Sequence, residues 1–587
     1  MRVLFSMRHL GSLRMYDSAL RQLARAGHEI EIVARRRDVP GTASAPERIL
    51  ADVPQIRWIW EEVHVGRWTA LASMVRIWLD YLRYSTPMYA QVPRQRRLVG
   101  ERMPAVLRRI TDWPLVRAAP GRRLLSGALR AVERALPREP ALDRLIRERQ
   151  PDVLLATPVI RLGSSQIEIV RSGRAMGVRT GVCVASWDHL SSKARLAELP
   201  DRVFVWNRTQ QQEAVDLHSI PADRVTVTGA QCYDQWFDRR PARDRQSFCA
   251  AVGLPPDRPL LLYACSTLTP EAPCEAEFVR RWVTEIRAST DPVLRSASIL
   301  IRPHPQRLTE WKSIDLSELP DVTLYGSHPL DERSKEDYFD SLYHSAAVVG
   351  LLTSVFLEAS ILGKPVHTIV LPEFIDRQSS LYHFSYLFSV GGGLVRAARD
   401  FDEHRTQLAA SLAEAPNPHR HNRFVEAFIR PHGIRRSATD SFVEAIEAFG
   451  RSPVAAPARE PRWAPVMRVA LGPIAGAVAS AVARIDRPSD RTVAELQQAG
   501  RRDRHRRDRE ETHRRLSSER DTQRLEKARR AALAREAELR ERSERLDADR
   551  VRKRELKAAR EAAKRRRGRF RRRAALVALV KRRFGVG

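Results

Sequence analysis

Residues 2–6, RVLFS, are a short apolar run. The loop MRHLGSLR follows, then MYDSALRQLARAG spaces its apolar residues three and four apart, and HEIEIVAR alternates into a second strand. Strand, loop, helix, Gly27, strand predicts a βαβ unit, with the glycine ending the helix. Residues 68–150 change character and read as mainly helical, rich in arginine and tryptophan. There LASMVRIWLDYLRYS sets basic residues between apolar ones at helical spacing, as in a helix packed on the domain or one facing a membrane. Alternation then resumes with the strands PDVLLATP, VRTGVCVAS, RVFVWN and DRVTVTGA, separated by helical stretches. A second series starts at LLLYACS and runs through SILIRPHP, VTLYG, AAVVGLL and KPVHTIV to the helix ATDSFVEAIEAFG. Such β-branched, almost uninterrupted apolar strands suit parallel sheets covered on both faces. The expected fold is α/β, with two Rossmann-like domains (1–240 and 241–450) facing a cleft. Ligands in such folds bind at the carboxyl ends of the strands.

Beyond Gly450 the pattern breaks. RSPVAAPAREPRWAP reads as a linker, and VMRVALGPIAGAVASAVARI as a helix within residues 451–490. Its alanine content and its interruption by Arg468, Gly472 and Pro473 favour an interfacial or packed helix over a membrane span. Residues 491–587 predict a long charged helix. Leu516, Leu525, Leu539 and Leu546 give only a faint heptad, so i,i+4 ion pairs rather than a strong coiled coil would hold it.

Charge sharpens this division. The chain carries 587 residues and a net charge of +31. Residues 501–587 alone hold 34 lysines and arginines against 15 acids. A polyanion is the natural partner of such a tail: an anionic membrane surface, or nucleic acid bound non-specifically. The tail has almost no interleaved aromatics, and no nucleic-acid motif stands elsewhere. Five scattered cysteines, none in a C-x-x-C pair, argue against a disulfide framework or structural zinc. The N-terminus shows no secretory pattern. The expected setting is cytoplasmic, peripheral on the inner face of the cell membrane.

Candidate chemistry gathers at the strand ends. In ILIRPHPQ, Arg302 and His304 leave a strand, and prolines on both sides of His304 stiffen the backbone. Thr353 and Ser354 end another strand and open a helix, whose first N–H groups and hydroxyls suit phosphate oxygens or simple capping. Glu358 stands four residues after Ser354, outside capping-box spacing. It could accept from both hydroxyls of a ribose, or be an ordinary helix glutamate.

RPHP, followed about fifty residues later by LLTSVFLEASILGKPVHTI, resembles the donor half of GT-B glycosyltransferases. More narrowly it is similar to the transferases with HP and S motifs: CDP-glycerol glycerophosphotransferases, capsule enzymes and bacterial sialyltransferases. The resemblance implies donor-phosphate contacts for His304, Thr353 and Ser354, and a ribose contact for Glu358. It implies a nucleotide-activated donor (UDP-, CDP- or CMP-linked), no cofactor and no bound metal, Arg302 and His304 supplying positive charge. Gln378 and His383, in LPEFIDRQSSLYHFSYL, would meet the sugar. In the first domain, VASWDHLSSKARL offers Asp188 or His189 as the base for an acceptor hydroxyl. Lys193 could neutralise phosphate, and His9, after the first strand, competes as base. The acceptor would be a cell-surface glycan or lipid-linked. Three alternatives stay open: a nucleic-acid-binding protein, a scaffold on an inactive core, and a UDP-sugar 2-epimerase-like enzyme.

Overall fold

Two parallel sheets carry the chain, as seen in a computed structural model. It describes residues 1–8, 10–35, 53–61, 66–90, 92–266, 273–305, 307–316, 318–327, 329, 332–378, 382–486, 551–571 and 573–576. The first sheet comprises β1 (Arg2–Met7), β2 (Glu29–Arg35), β3 (Ile56–Glu61), β4 (Val153–Thr157), β5 (Arg179–Cys183), β6 (Arg202–Val205) and β7 (Val225–Val227). Its order is β3-β2-β1-β4-β5-β6-β7. The second comprises β8 (Leu260–Ala264), β9 (Ser298–Arg302), β10 (Val322–Leu324), β11 (Ala347–Val349), β12 (Val366–Ile369) and β13 (Val395–Ala398), in the order β10-β9-β8-β11-β12-β13. Every pairing is parallel, with Phe5 opposite Leu155 and Leu262 opposite Leu300. The expected α/β class therefore holds. In each sheet the order reverses beside its first strand, which opens a crevice at the carboxyl ends between β1 and β4 and between β8 and β11.

The edge strands β3 and β13 were not anticipated. Each pairs on one side only, and Gly391, Gly392 and Gly393 directly precede β13.

The helices that matter for function are α1 (Asp17–Arg25), α2 (Arg67–Tyr84), α3 (Ala119–Ala135), α4 (Arg208–His218), α5 (Glu332–Tyr343), α6 (Val355–Ile361), α7 (Pro372–Gln378), α8 (Tyr382–Ser389), α9 (Ala438–Arg451) and α10 (Ala464–Asp486). The predicted insertion between β3 and β4 is helical, and α2 and α3 are its longest members. Asn207 caps α4 by accepting from Gln210 N–H at 2.9 Å.

α9 departs from the expected boundary at residue 450. Its Phe442, Val443, Ile446 and Phe449 lie in one core with Phe5, Leu155 and Phe204 of the first sheet. Asp234, at the junction, fixes this return. It pairs with Arg430 at 2.7 Å and accepts from Thr439 N–H at 2.6 Å and Ser437 Oγ at 2.9 Å. The chain thus crosses back, and residues 438–451 belong to the first domain.

α10 is packed along one stripe. Ala475 is buried among Leu71, Val75, Leu82 and Leu129, and Arg468 Nε donates to Ala135 O at 2.6 Å. Its opposite face is exposed at Val466 and Val469. By length and apolarity alone, Ala464–Val482 could cross a membrane, with a mean hydropathy of 1.5.

Met1–Ala483 form one compact unit and Arg484–Gly587 a second. In the second, residues 551–571 are helical and exposed. The predicted heptad leucines, Leu516, Leu525, Leu539 and Leu546, lie outside the described residues, as do the chain end from 577 and His9.

Candidate functional site

The loop after β5 is held by a dense set of contacts at the first domain's carboxyl edge. Asp188 precedes a single helical turn, His189–Ser192. Its carboxylate accepts from Ser186 Oγ at 2.7 Å and pairs with Lys193 Nζ at 2.8 Å. Burial alone would raise its pKa, but Lys193, His189 and His383 together hold it well below the usual carboxylate range. His189 is pushed down to about 4, mainly by burial, with Lys193 and Arg161 adding to the effect and Asp188 opposing it. No protein group hydrogen-bonds its Nδ1.

Neighbouring helices hold this loop from outside. At the end of α2, Arg83 donates to Leu190 O at 3.3 Å and Lys193 O at 3.4 Å, and the Tyr84 hydroxyl donates to Lys193 O. Asp80 accepts from Arg195 N–H at 2.7 Å. From α4, His218 Nδ1 accepts from Leu196 N–H at 3.0 Å, so Nε2 must carry the proton it shares with Leu190 O at 2.8 Å. These residues went unnoticed in the sequence because their partners lie 22 to 115 positions away.

The second domain meets this loop through α8. His383 is buried with its ring against Trp187, centroids 4.7 Å apart, and burial pushes its pKa down to about 4. One turn on, the Tyr386 hydroxyl donates to Glu213 of α4. Burial lifts the Glu213 carboxyl to about 7. The structure thus brings Asp188, His189 and His383 together across the two sheets, although their motifs lie about 190 residues apart in sequence.

The donor-side candidates occupy the crevice around β8. His304 is half-buried past the end of β9, its carbonyl accepting from Arg307 N–H at 2.9 Å. Ser354 is exposed at the start of α6, and its side chain makes no capping hydrogen bond. Thr353 Oγ1 accepts from Val355 N–H at 3.4 Å. Glu358 accepts from the Tyr338 hydroxyl at 3.1 Å, and burial raises its carboxyl to about 8. Arg14, in the loop after β1, lies near enough to oppose that rise.

Two expected ligand contacts do other work. Gln378, 1% exposed, donates through Nε2 to Leu351 O at 2.9 Å, Ile369 O at 3.1 Å and Thr368 Oγ1 at 3.2 Å. It staples the ends of β11 and β12 instead of reaching a sugar, because the chain after β12 folds as a helix rather than a loop. Arg302 is 8% exposed and turned into the fold. It donates to Ser341 Oγ at 3.0 Å and Ser327 O at 3.2 Å, and lies 4.9 Å over the Tyr338 ring. Gly326, at φ +105°, makes room, since a Cβ there would fall 2.5 Å from the guanidinium. The arginine thus secures α5 and the loop that precedes it, and through Tyr338 it sets Glu358.

Among the described residues, no group of three or more His, Cys, Asp or Glu is placed to hold a metal ion.

No family model matches the sequence, and no curated protein does. Among solved structures, the chain is similar to a UDP-GlcNAc 2-epimerase from Neisseria meningitidis bound to UDP-GlcNAc, at 13% identity and a TM-score of 0.44, over 76% of this chain and 100% of that one. It is also similar to a glycosyltransferase from Rickettsia africae, at 10% identity and a TM-score of 0.45, over 77% and 99%. WaaG, a glycosyltransferase involved in lipopolysaccharide biosynthesis, aligns at 11% identity and a TM-score of 0.38, over 77% and 100%.

Proposed function

We propose that this chain is a GT-B glycosyltransferase that moves a sugar, or a polyol phosphate, from a nucleotide-activated donor to a glycan or lipid-linked acceptor. The observation that carries the reading is the meeting of Asp188, His189 and Lys193 with His383, while His304, Thr353, Ser354 and Glu358 stand at or just beyond the carboxyl ends of β9 and β11. The first cluster suits proton removal from an acceptor hydroxyl, the second a nucleotide diphosphate. His189, neutral at physiological pH with a buried Nδ1 that no protein group engages, takes the proton, and the Asp188 carboxylate steadies the imidazolium that forms. Lys193 shifts from Asp188 toward the leaving phosphate as that charge develops. No step draws on a metal. The basic tail holds the enzyme near an anionic membrane where its acceptor is built.

The test is thermal stabilisation of the full chain by UDP, CDP, CMP, GDP and TDP, with ATP as control. One nucleotide should raise Tm selectively, and His304→Ala and Ser354→Ala should each weaken that shift. If none stabilises the protein, the donor site is refuted. Incubation with the matching nucleotide sugar and no acceptor then separates the transferase from an epimerase, which would interconvert the free sugar nucleotide.

A further inference from the structure

The helical insertion carries an elbow that the site does not use. The chain folds through the short helices Ala105–Asp112 and Pro114–Arg117 before entering α3. Of residues 104–120, only Thr111 is buried. Trp113 is 59% exposed, Leu115 68% and Leu124 78%, and Val106 and Ile110 are exposed beside them. Single exposed apolar residues are ordinary, but five large ones within one elbow are not.

The elbow is built into this shape. Gly121 lies against Leu115, where a Cβ would fall 1.9 Å from the carbonyl oxygen. Pro114 and Pro120 open the second and third helices. Its inner side is already satisfied: Trp78 Nε1 donates to Thr111 Oγ1 at 2.8 Å, and Tyr81 OH to Asp112 at 3.3 Å. The apolar tips therefore await no core residue of their own.

Charge identifies the partner. Residues 102–124 hold six arginines and one acid, Asp112, which Arg96 already engages. We propose that this elbow docks the protein on an anionic lipid surface. Trp113 seats at the headgroup level, Leu115 and Leu124 enter the acyl region, and Arg109, Arg117 and Arg123 stay among the phosphates. A nucleic acid would meet the arginines but leave the leucines in water. This docking depends neither on the transfer reaction nor on the basic tail.

The full chain is mixed with vesicles of phosphatidylcholine, alone or with about a third phosphatidylglycerol, and bound protein is measured by flotation. Leu115→Glu with Leu124→Glu should weaken binding to the anionic vesicles about tenfold at unchanged Tm. Lipids brominated on their acyl chains should quench part of the tryptophan fluorescence, and Trp113→Phe should remove that part. Unchanged affinity in the double variant, or quenching that survives Trp113→Phe, overturns the proposal and leaves binding to the tail. Failure of the wild type to bind, or loss of a dimer instead of lipid binding in the double variant, overturns it too. Nucleotide stabilisation is read separately on the same protein, so the two readings fail independently.

Discussion

At neutral pH Asp188 is a carboxylate locked to Lys193, while His189 and His383 are neutral imidazoles held so by burial. An imidazole that must be neutral to accept a proton loses activity only as pH falls through its own pKa. With that value near 4, turnover should hold from pH 8 down to about 5 and then fall, whereas an unperturbed histidine would fail near pH 6.5. His189→Gln should cut kcat by about 10²- to 10⁴-fold with little change in Tm. In Asp188→Asn the residual activity should have its acid limb at still lower pH, because the carboxylate is what raises the His189 pKa. A limb that moves upward would remove Asp188 from this role. The loop WDHLSSK was legible as a dense polar cluster at a strand end. The guanidinium of Arg302 and the amide of Gln378 were not, since residue type says nothing of which way a side chain turns. Each is buried on acceptors that tertiary packing alone supplies.

α2 shows what an element adds. Its apolar spacing predicted a packed face or a membrane face, and packing prevails, with Leu71, Val75 and Leu79 in one core with α3 and α10. Its last turn does something no periodicity encodes: Asp80, Arg83 and Tyr84 fix the backbone of residues 190–195. Arg83→Ala should therefore lower kcat by about 10- to 100-fold through misplacement of the loop, with nucleotide affinity unchanged. Loss of nucleotide-induced stabilisation in that variant would show that the arginine serves the donor instead. Arg83 also donates to Tyr89 OH at 2.7 Å, so the variant's Tm needs measuring alongside.

For the whole molecule, two sets of buried groups pull stability in opposite directions. Burial lifts Glu275 and Glu358 to about 8 and Glu213 to about 7, so the folded chain holds protons there that the unfolded chain has lost. That contribution is full below the ordinary carboxylate pKa and fades as pH rises through 7 to 8. His218 and His404, near 3, and His383 and His421, near 4, act in reverse. Unfolded histidines bind protons below about pH 6.5 that the folded ones refuse, so stability falls there. Tm should peak near pH 6.5, and Glu275→Gln should flatten the alkaline limb. A Tm that climbs steadily to pH 9 would refute the assignment. At this scale the sequence was largely readable, because buried parallel strands need runs such as LLLYA and SILIR that little else requires. What escaped it were two of the four edge strands, β3 and β13, and a return, α9, whose apolar face fits either domain until the chain's crossing is seen. One feature reaches across these scales. α2 has no glycine or proline along its 18 residues, so it lacks the usual kink sites. It is a lever about 27 Å long, with α10 and α3 against its shaft and the 190–195 loop at its tip. The same helix that seats α3 and α10 therefore also anchors the backbone beside Asp188 and His189.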